Sequence, residues 1–134
     1  YAPLERTKLF DRVNDLFNKA DLLVMPTLAA PAPKYDHDHG DPIVINGEDG
    51  GSLREGWYPY TRPFNLTGHP AISIPIGMTS ETLSNDEAHG LPVGLQAVGP
   101  YFSEQRLLDL AAALEVLQPW ANAWPELGLQ KIVL

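Results

Sequence analysis

The sequence predicts an α/β fold built in layers, and three features of the chain predict it. Apolar residues recur at helical spacing in two separate stretches, two runs of β-branched residues lie near each other in the second half, and a turn-rich segment divides the first helix and strand from them.

Residues 3–20 read as an amphipathic helix. Pro3 suits a first helical turn, and Leu9, Val13, Leu16 and Ala20 recur at helical spacing beside Phe10 and Phe17. Residues 21–26 (Asp-Leu-Leu-Val-Met-Pro) form a short apolar run closed by proline, the pattern of a buried strand. From Thr27 the chain accumulates Pro, Gly, Asp and Asn, so residues 27–70 are expected to be a long loop that packs on something else. Residues 71–77 and 92–99 are β-rich runs joined by a polar segment, and they predict two adjacent antiparallel strands. Pro75 lacks the N–H that a central ladder needs, which places it at a strand end, a bulge or an edge. Ser103 is a suitable N-cap for a helix over 103–117, whose stripe is Leu107, Leu110, Ala111, Leu114 and Leu117. The tail, 118–134, carries Trp120, Trp124 and Pro125 and is expected to pack onto the body.

Composition narrows the functional classes. At 134 residues the chain matches one domain, with 44% hydrophobic and 19% charged residues and a formal charge of −8. That charge argues against nucleic acid and anionic membranes as partners. The absence of cysteine removes disulfides, thiolate nucleophiles and cysteine-based zinc sites, and makes a cytoplasmic setting the expectation. The chain starts without Met and without a secretory pattern, so a fragment of a longer protein is expected.

Several ordered blocks carry a family resemblance. Residues 21–27 (Asp-Leu-Leu-Val-Met-Pro-Thr) and 31–33 (Pro-Ala-Pro) are followed by 60–75 (Tyr-Thr-Arg-Pro-Phe-Asn-Leu-Thr-Gly-His-Pro-Ala-Ile-Ser-Ile-Pro) and by 90–99 (Gly-Leu-Pro-Val-Gly-Leu-Gln-Ala-Val-Gly). In order and spacing they resemble the carboxy-terminal portion of an amidase-signature hydrolase. The resemblance implies a mixed β-sheet flanked by helices, and cleavage of a carboxamide C–N bond to carboxylate and ammonia or amine. It also implies a serine nucleophile, a second serine with a cis peptide, and a lysine, all upstream of these blocks, so this chain alone is expected to be inactive. No metal or other cofactor is implied.

Within the chain, apparent catalytic groups have simpler readings. Gly50-Gly51-Ser52 superficially resembles a Gly/Ser signature, but Leu53-Arg54 follow where further serine and glycine should stand, so a flexible turn is the expectation. Lys8, Lys19, Lys34 and Lys131 stand beside no paired serines and read as solvated positions. Asp36-His37-Asp38-His39 offers ligand types, yet successive loop residues rarely converge on one ion, and a polar loop is expected. His69 has a general base's pKa range but reads as a turn residue constrained by Pro70.

The candidates for substrate contact are Trp57, Tyr58, Tyr60, Thr61, Phe64 and Asn65, an aromatic segment leading out of the loop; core packing explains the rings equally well. Glutamine-specific relatives in transfer-RNA charging carry an acidic residue shortly before this block, where this chain has Trp57-Tyr58-Pro59-Tyr60, so an apolar or aryl amide is the expected substrate. The partners expected are that small amide, the remaining amino-terminal part of the fold, and a second copy in a homo-oligomer. The alternative is a stand-alone noncatalytic binding or oligomerisation module.

Overall fold

The structure, a computed structural model, describes residues 2–33, 37–38, 40–79 and 90–120. Helix α1 spans Ala2–Phe17 and strand β1 spans Leu23–Pro26. Helix α1 ends three residues before the predicted limit; the amides of Lys19 and Ala20 close on the carbonyl of Leu16, and the chain turns there into β1.

The stretch expected to be a long loop contains regular structure. Strands β2 (Pro42–Ile45) and β3 (Glu48–Ser52) pair antiparallel, a π-helical turn covers Leu53–Trp57, and helix α2 covers Arg62–Thr67. The hairpin follows from Asn46-Gly47, which adopt φ of 54° and 84° between Ile45 and its partner Glu48. Two left-handed residues in a two-residue loop match the twist of paired strands. Helix α2 has equally local causes: Pro63 in its first turn, and Gly68 at φ 76° donating its amide to the Phe64 carbonyl as the C-cap.

Strands β4 (Ala71–Met78) and β5 (Pro92–Val98) pair antiparallel, and β1 pairs antiparallel with the other side of β5, giving the order β1-β5-β4. Pro75 sits in an outer strand of this sheet, and the register shifts between Pro75 and Gly77. A missing N–H is tolerated at an irregular edge position. Every strand pairing among the described residues is antiparallel.

Pairing places Leu23 and Met25 of β1 on one face with Val98 and Gln96 of β5. Against the apolar end of this face pack Leu9, Val13 and Phe17 of α1 and Phe64 of α2. The opposite face presents Ile74 and Ala97, both buried, while helix α3 (Glu104–Leu117) packs against β4 and contributes Leu107 to the interior. The result is a helix, sheet and helix layering.

Two expectations about α3 need correction. Ser103 occupies the N-cap, but its hydroxyl makes no capping bond and donates instead to the Pro100 carbonyl at 2.7 Å. Leu117, placed on the apolar stripe by spacing, is 79% exposed, because only the first turns of α3 lie on the sheet and Leu107 is its buried residue. Trp120 is half-buried, whereas Trp124 and Pro125 lie outside the described residues.

Candidate functional site

The aromatic segment is fixed by its surroundings, residue by residue. Trp57 ends the π-helical turn; its indole Nε1 donates to the Ala30 carbonyl at 2.8 Å, and its own carbonyl accepts from the Ala29 amide at 2.8 Å. Tyr58 meets the Trp57 ring edge-on at 6.2 Å, and the Arg62 guanidinium lies 5.2 Å from the centre of the Tyr58 ring. Such a cation on an aromatic face is attracted by the ring quadrupole. Thr61 donates its hydroxyl to the Tyr58 carbonyl, and its carbonyl accepts from the Asn65 amide. Tyr60 is 40% exposed, and its carbonyl accepts from the Gln96 side chain at 3.1 Å. Asn65 is exposed, whereas Phe64 turns inward to the core beside Val13 and Val98. The structure therefore divides the six candidates: Trp57, Tyr58, Tyr60 and Thr61 form one connected edge over the sheet, and Phe64 is a packing residue.

Beneath that edge the sheet is polar. Gln96 pairs with Met25 on one side and Ser73 on the other, so these three share a face, and Gly94 follows two residues away on the same face. Thr27, directly after β1, donates its amide to the Gly94 carbonyl at 2.9 Å, and its hydroxyl lies 2.7 Å from that of Ser73. Two hydroxyls hydrogen-bonded to each other, with no lysine, histidine or carboxylate bonded to either among the described residues, are not an activated nucleophile. Sequence reasoning missed Thr27, Ser73, Gly94 and Gln96. A glycine inside a β-branched run was the available signal, since it marks a bulge or a close approach.

The other candidates fall elsewhere. Gly50-Gly51-Ser52 belongs to β3 rather than to a flexible turn. A Cβ on Gly50 would meet Ile45 and Ile43, and the Ser52 hydroxyl donates to Glu55 at 2.9 Å. Lys8 pairs with Glu5 on the surface of α1 and Lys19 is exposed, while Lys34 and Lys131 lie outside the described residues. So do Asp36 and His39; Asp38 accepts from the Gly40 amide in a local turn. No group of three or more potential metal ligands occurs among the described residues.

His69 is more than a turn residue. It is buried between the rings of Phe10, Phe17 and Tyr101, with centroids 4.9–5.4 Å away. Its Nε2 lies 3.2 Å from the Asn14 side-chain oxygen and its Nδ1 lies 2.8 Å from the Thr67 hydroxyl. An amide oxygen only accepts, so Nε2 carries the proton and Nδ1 accepts from Thr67. Burial lowers the pKa of the ring from 6.5, which keeps the imidazole neutral and suits it to joining α1, α2 and the start of β4.

Comparison with known proteins gives this arrangement a family. The model of the Amidase family matches residues 2–108. The chain belongs to the amidase family. It is 38% identical over 116 residues to the 6-aminohexanoate-cyclic-dimer hydrolase of Pseudomonas sp. strain NK87, covering 80% of this chain and 21% of that protein. It is 36% identical over 126 residues to a glutamyl-tRNA(Gln) amidotransferase chain from Nitrosococcus oceani, covering 91% and 22%. Among solved structures, a bacterial aryl acylamidase of the amidase-signature family superposes with a TM-score of 0.68 at 34% identity, covering 88% of this chain and 22% of that one. The chain spans about a fifth of the length of the curated relatives it matches, and the amidase-signature portion it covers is carboxy-terminal. No helix among the described residues is long and apolar enough to cross a membrane.

Proposed function

We propose that this chain is the carboxy-terminal part of an amidase that hydrolyses the C–N bond of a small carboxamide to a carboxylate and ammonia or an amine. The observation that carries the reading is the amidase match over residues 2–108, joined to relatives named as a cyclic-dimer hydrolase and an aryl acylamidase. In this reading the nucleophilic serine, the second serine and the lysine come from the part of the fold that precedes these residues, and the chain by itself has no hydrolytic activity. Activation of a serine needs a base within hydrogen-bond reach. Among the described residues Thr27 and Ser73 bond each other, Thr61 and Ser103 donate to main-chain carbonyls, Ser52 meets the exposed Glu55 on the hairpin side, and the Thr67–His69 pair is buried among aromatic rings away from the candidate edge.

The contribution of this chain is a wall of the substrate site. Trp57, Tyr58, Tyr60 and Thr61 present aromatic and hydroxyl surface above Gln96, and Asn65 lies one turn further along α2. Such apolar surface with a few fixed polar groups suits an aryl or apolar acyl amide. With Trp57-Tyr58-Pro59-Tyr60 in the stretch where glutamine-specific relatives carry an acid, glutamine is the poorer substrate. The enzyme acts in the cytoplasm and without a metal, on a small molecule, and self-association is read by light scattering of the purified protein.

The experiment is ammonia release by the whole protein from a matched series of aryl and aliphatic amides, with glutamine as comparison. Aryl amides should give the higher kcat/KM, and Trp57→Ala should lower it for aryl amides about tenfold, the order expected from loss of apolar contact in a pocket. Absence of ammonia from every amide would remove the reading and favour a noncatalytic binding module.

A further inference from the structure

Gly94 lies in the central strand of the sheet, and the two flanking segments meet across it. The Thr27 and Ser73 hydroxyls, one beyond the end of β1 and one in β4, come within 2.7 Å of each other above this residue. A Cβ on residue 94 would stand 2.8 Å from both oxygens and 3.2 Å from the Thr27 Cβ. Real Cβ contacts do not come so close, so a side chain at position 94 and the hydroxyl bridge exclude each other.

The bridge lies at the root of the aromatic edge. Thr27 is joined to the sheet through its amide and its hydroxyl, at Gly94 and Ser73. Two residues later Ala29 donates to the Trp57 carbonyl, and the Ala30 carbonyl receives the Trp57 indole. Both anchors of Trp57 therefore stand on the three residues that follow Thr27. The Trp57 ring in turn meets Tyr58, on which Arg62 rests.

We infer that the Thr27–Ser73 hydroxyl bridge over Gly94 is a positioning device: it fixes the Ala29–Ala30 anchor of Trp57 and thereby sets the selectivity of the site between aryl and aliphatic amides. The inference rests on the proposal that Trp57 belongs to the substrate wall. Removing the bridge leaves a single main-chain bond from Thr27 to the sheet, and the indole loses its fixed acceptor. Small displacements of positioning groups cost large factors in rate.

The test uses the whole protein with Thr27→Val, which keeps the shape and removes the hydroxyl, and Thr27→Ser, which keeps the hydroxyl. Two readouts are taken: the aryl-to-aliphatic ratio of kcat/KM, and the emission of Trp57, obtained as the difference between each variant and the same variant carrying Trp57→Phe. Thr27→Val should lower the ratio about fivefold, as loss of one hydrogen bond would, and shift the emission to longer wavelength, while Thr27→Ser retains both. Gly94→Ala should reproduce Thr27→Val, and the double variant should be no worse than either. If Thr27→Val lowers the melting temperature but leaves ratio and emission unchanged, the bridge is a stability element only and the inference is overturned. If Trp57→Ala changes the ratio and Thr27→Val does not, the inference fails alone. An unchanged ratio in Trp57→Ala removes the wall and the selectivity claim together.

Discussion

Gly68 and Tyr101 are matched to each other: the glycine holds φ at 76°, and a Cβ built on it would lie 2.9 Å from the Tyr101 hydroxyl, which donates to the neighbouring Thr67 carbonyl. One short contact thus ties the end of α2 to the turn that starts α3.

Gly68→Ala should destabilise by about 1–2 kcal/mol from the left-handed backbone alone, with more from the contact with Tyr101. In a Tyr101→Phe background the oxygen is gone and the Gly68→Ala penalty should shrink. A double-mutant cycle by urea denaturation measures this coupling; additive effects would mean that the two residues act separately.

His69 makes folding stability depend on pH. Burial lowers its pKa in the folded protein below the unfolded value of 6.5, so the unfolded chain takes the proton more readily. Its contribution is fully present above pH 6.5 and is lost as the pH falls from there through the folded pKa. The denaturation midpoint of the parent should therefore drop more between pH 7.5 and pH 5 than that of His69→Gln, whose side chain does not titrate. Equal drops in both proteins would show that His69 is not the group responsible.

Phe64 is a core residue by its contacts with Val13 and Val98. Phe64→Ala should cost about 3–5 kcal/mol, read as loss of cooperative unfolding near room temperature, whereas Trp57→Leu at the half-exposed edge should cost far less. A mild effect at Phe64 would move that ring from the core to the site.

The Asn46-Gly47 turn carries both left-handed residues of its hairpin. Gly47→Val places a β-branched residue at φ 84° and should destabilise the hairpin by at least about 1 kcal/mol. Amide exchange should speed up within residues 42–52 and stay unchanged in β4 and β5; uniform acceleration would indicate that the hairpin and sheet unfold as one.

How much of this was legible in the sequence varied with the range of the interactions. Strong local periodicity located α1, α3, β4 and β5, and the missing N–H of Pro75 pointed to an irregular edge. The hairpin and α2 were missed, although Asn46-Gly47 and Pro63 with Gly68 were the signals for them, because strands of four and five residues and a six-residue helix among turn formers leave a weak period. What no local pattern contains is the partner of a side chain far along the chain. Asn14 stands 55 positions from His69 and Thr27 stands 46 from Ser73, so the neutral imidazole and the hydroxyl bridge emerge only once the sheet has assembled. Phe64 and Trp57 have similar surroundings in sequence, and only the tertiary packing turns one ring inward and the other to the edge.

Among the described residues, the order β1-β5-β4 gives the strand latest in the sequence the central place. On a translating ribosome β1 and β4 both emerge first, and neither can bond to the other across the gap that β5 fills. On the side that faces β5 they stay unpaired until residues 92–98 clear the exit tunnel, and that single insertion completes both pairings. A chain that ends shortly before residue 92 therefore lacks the strand with which both β1 and β4 pair here, and leaves two strand edges open to other partners.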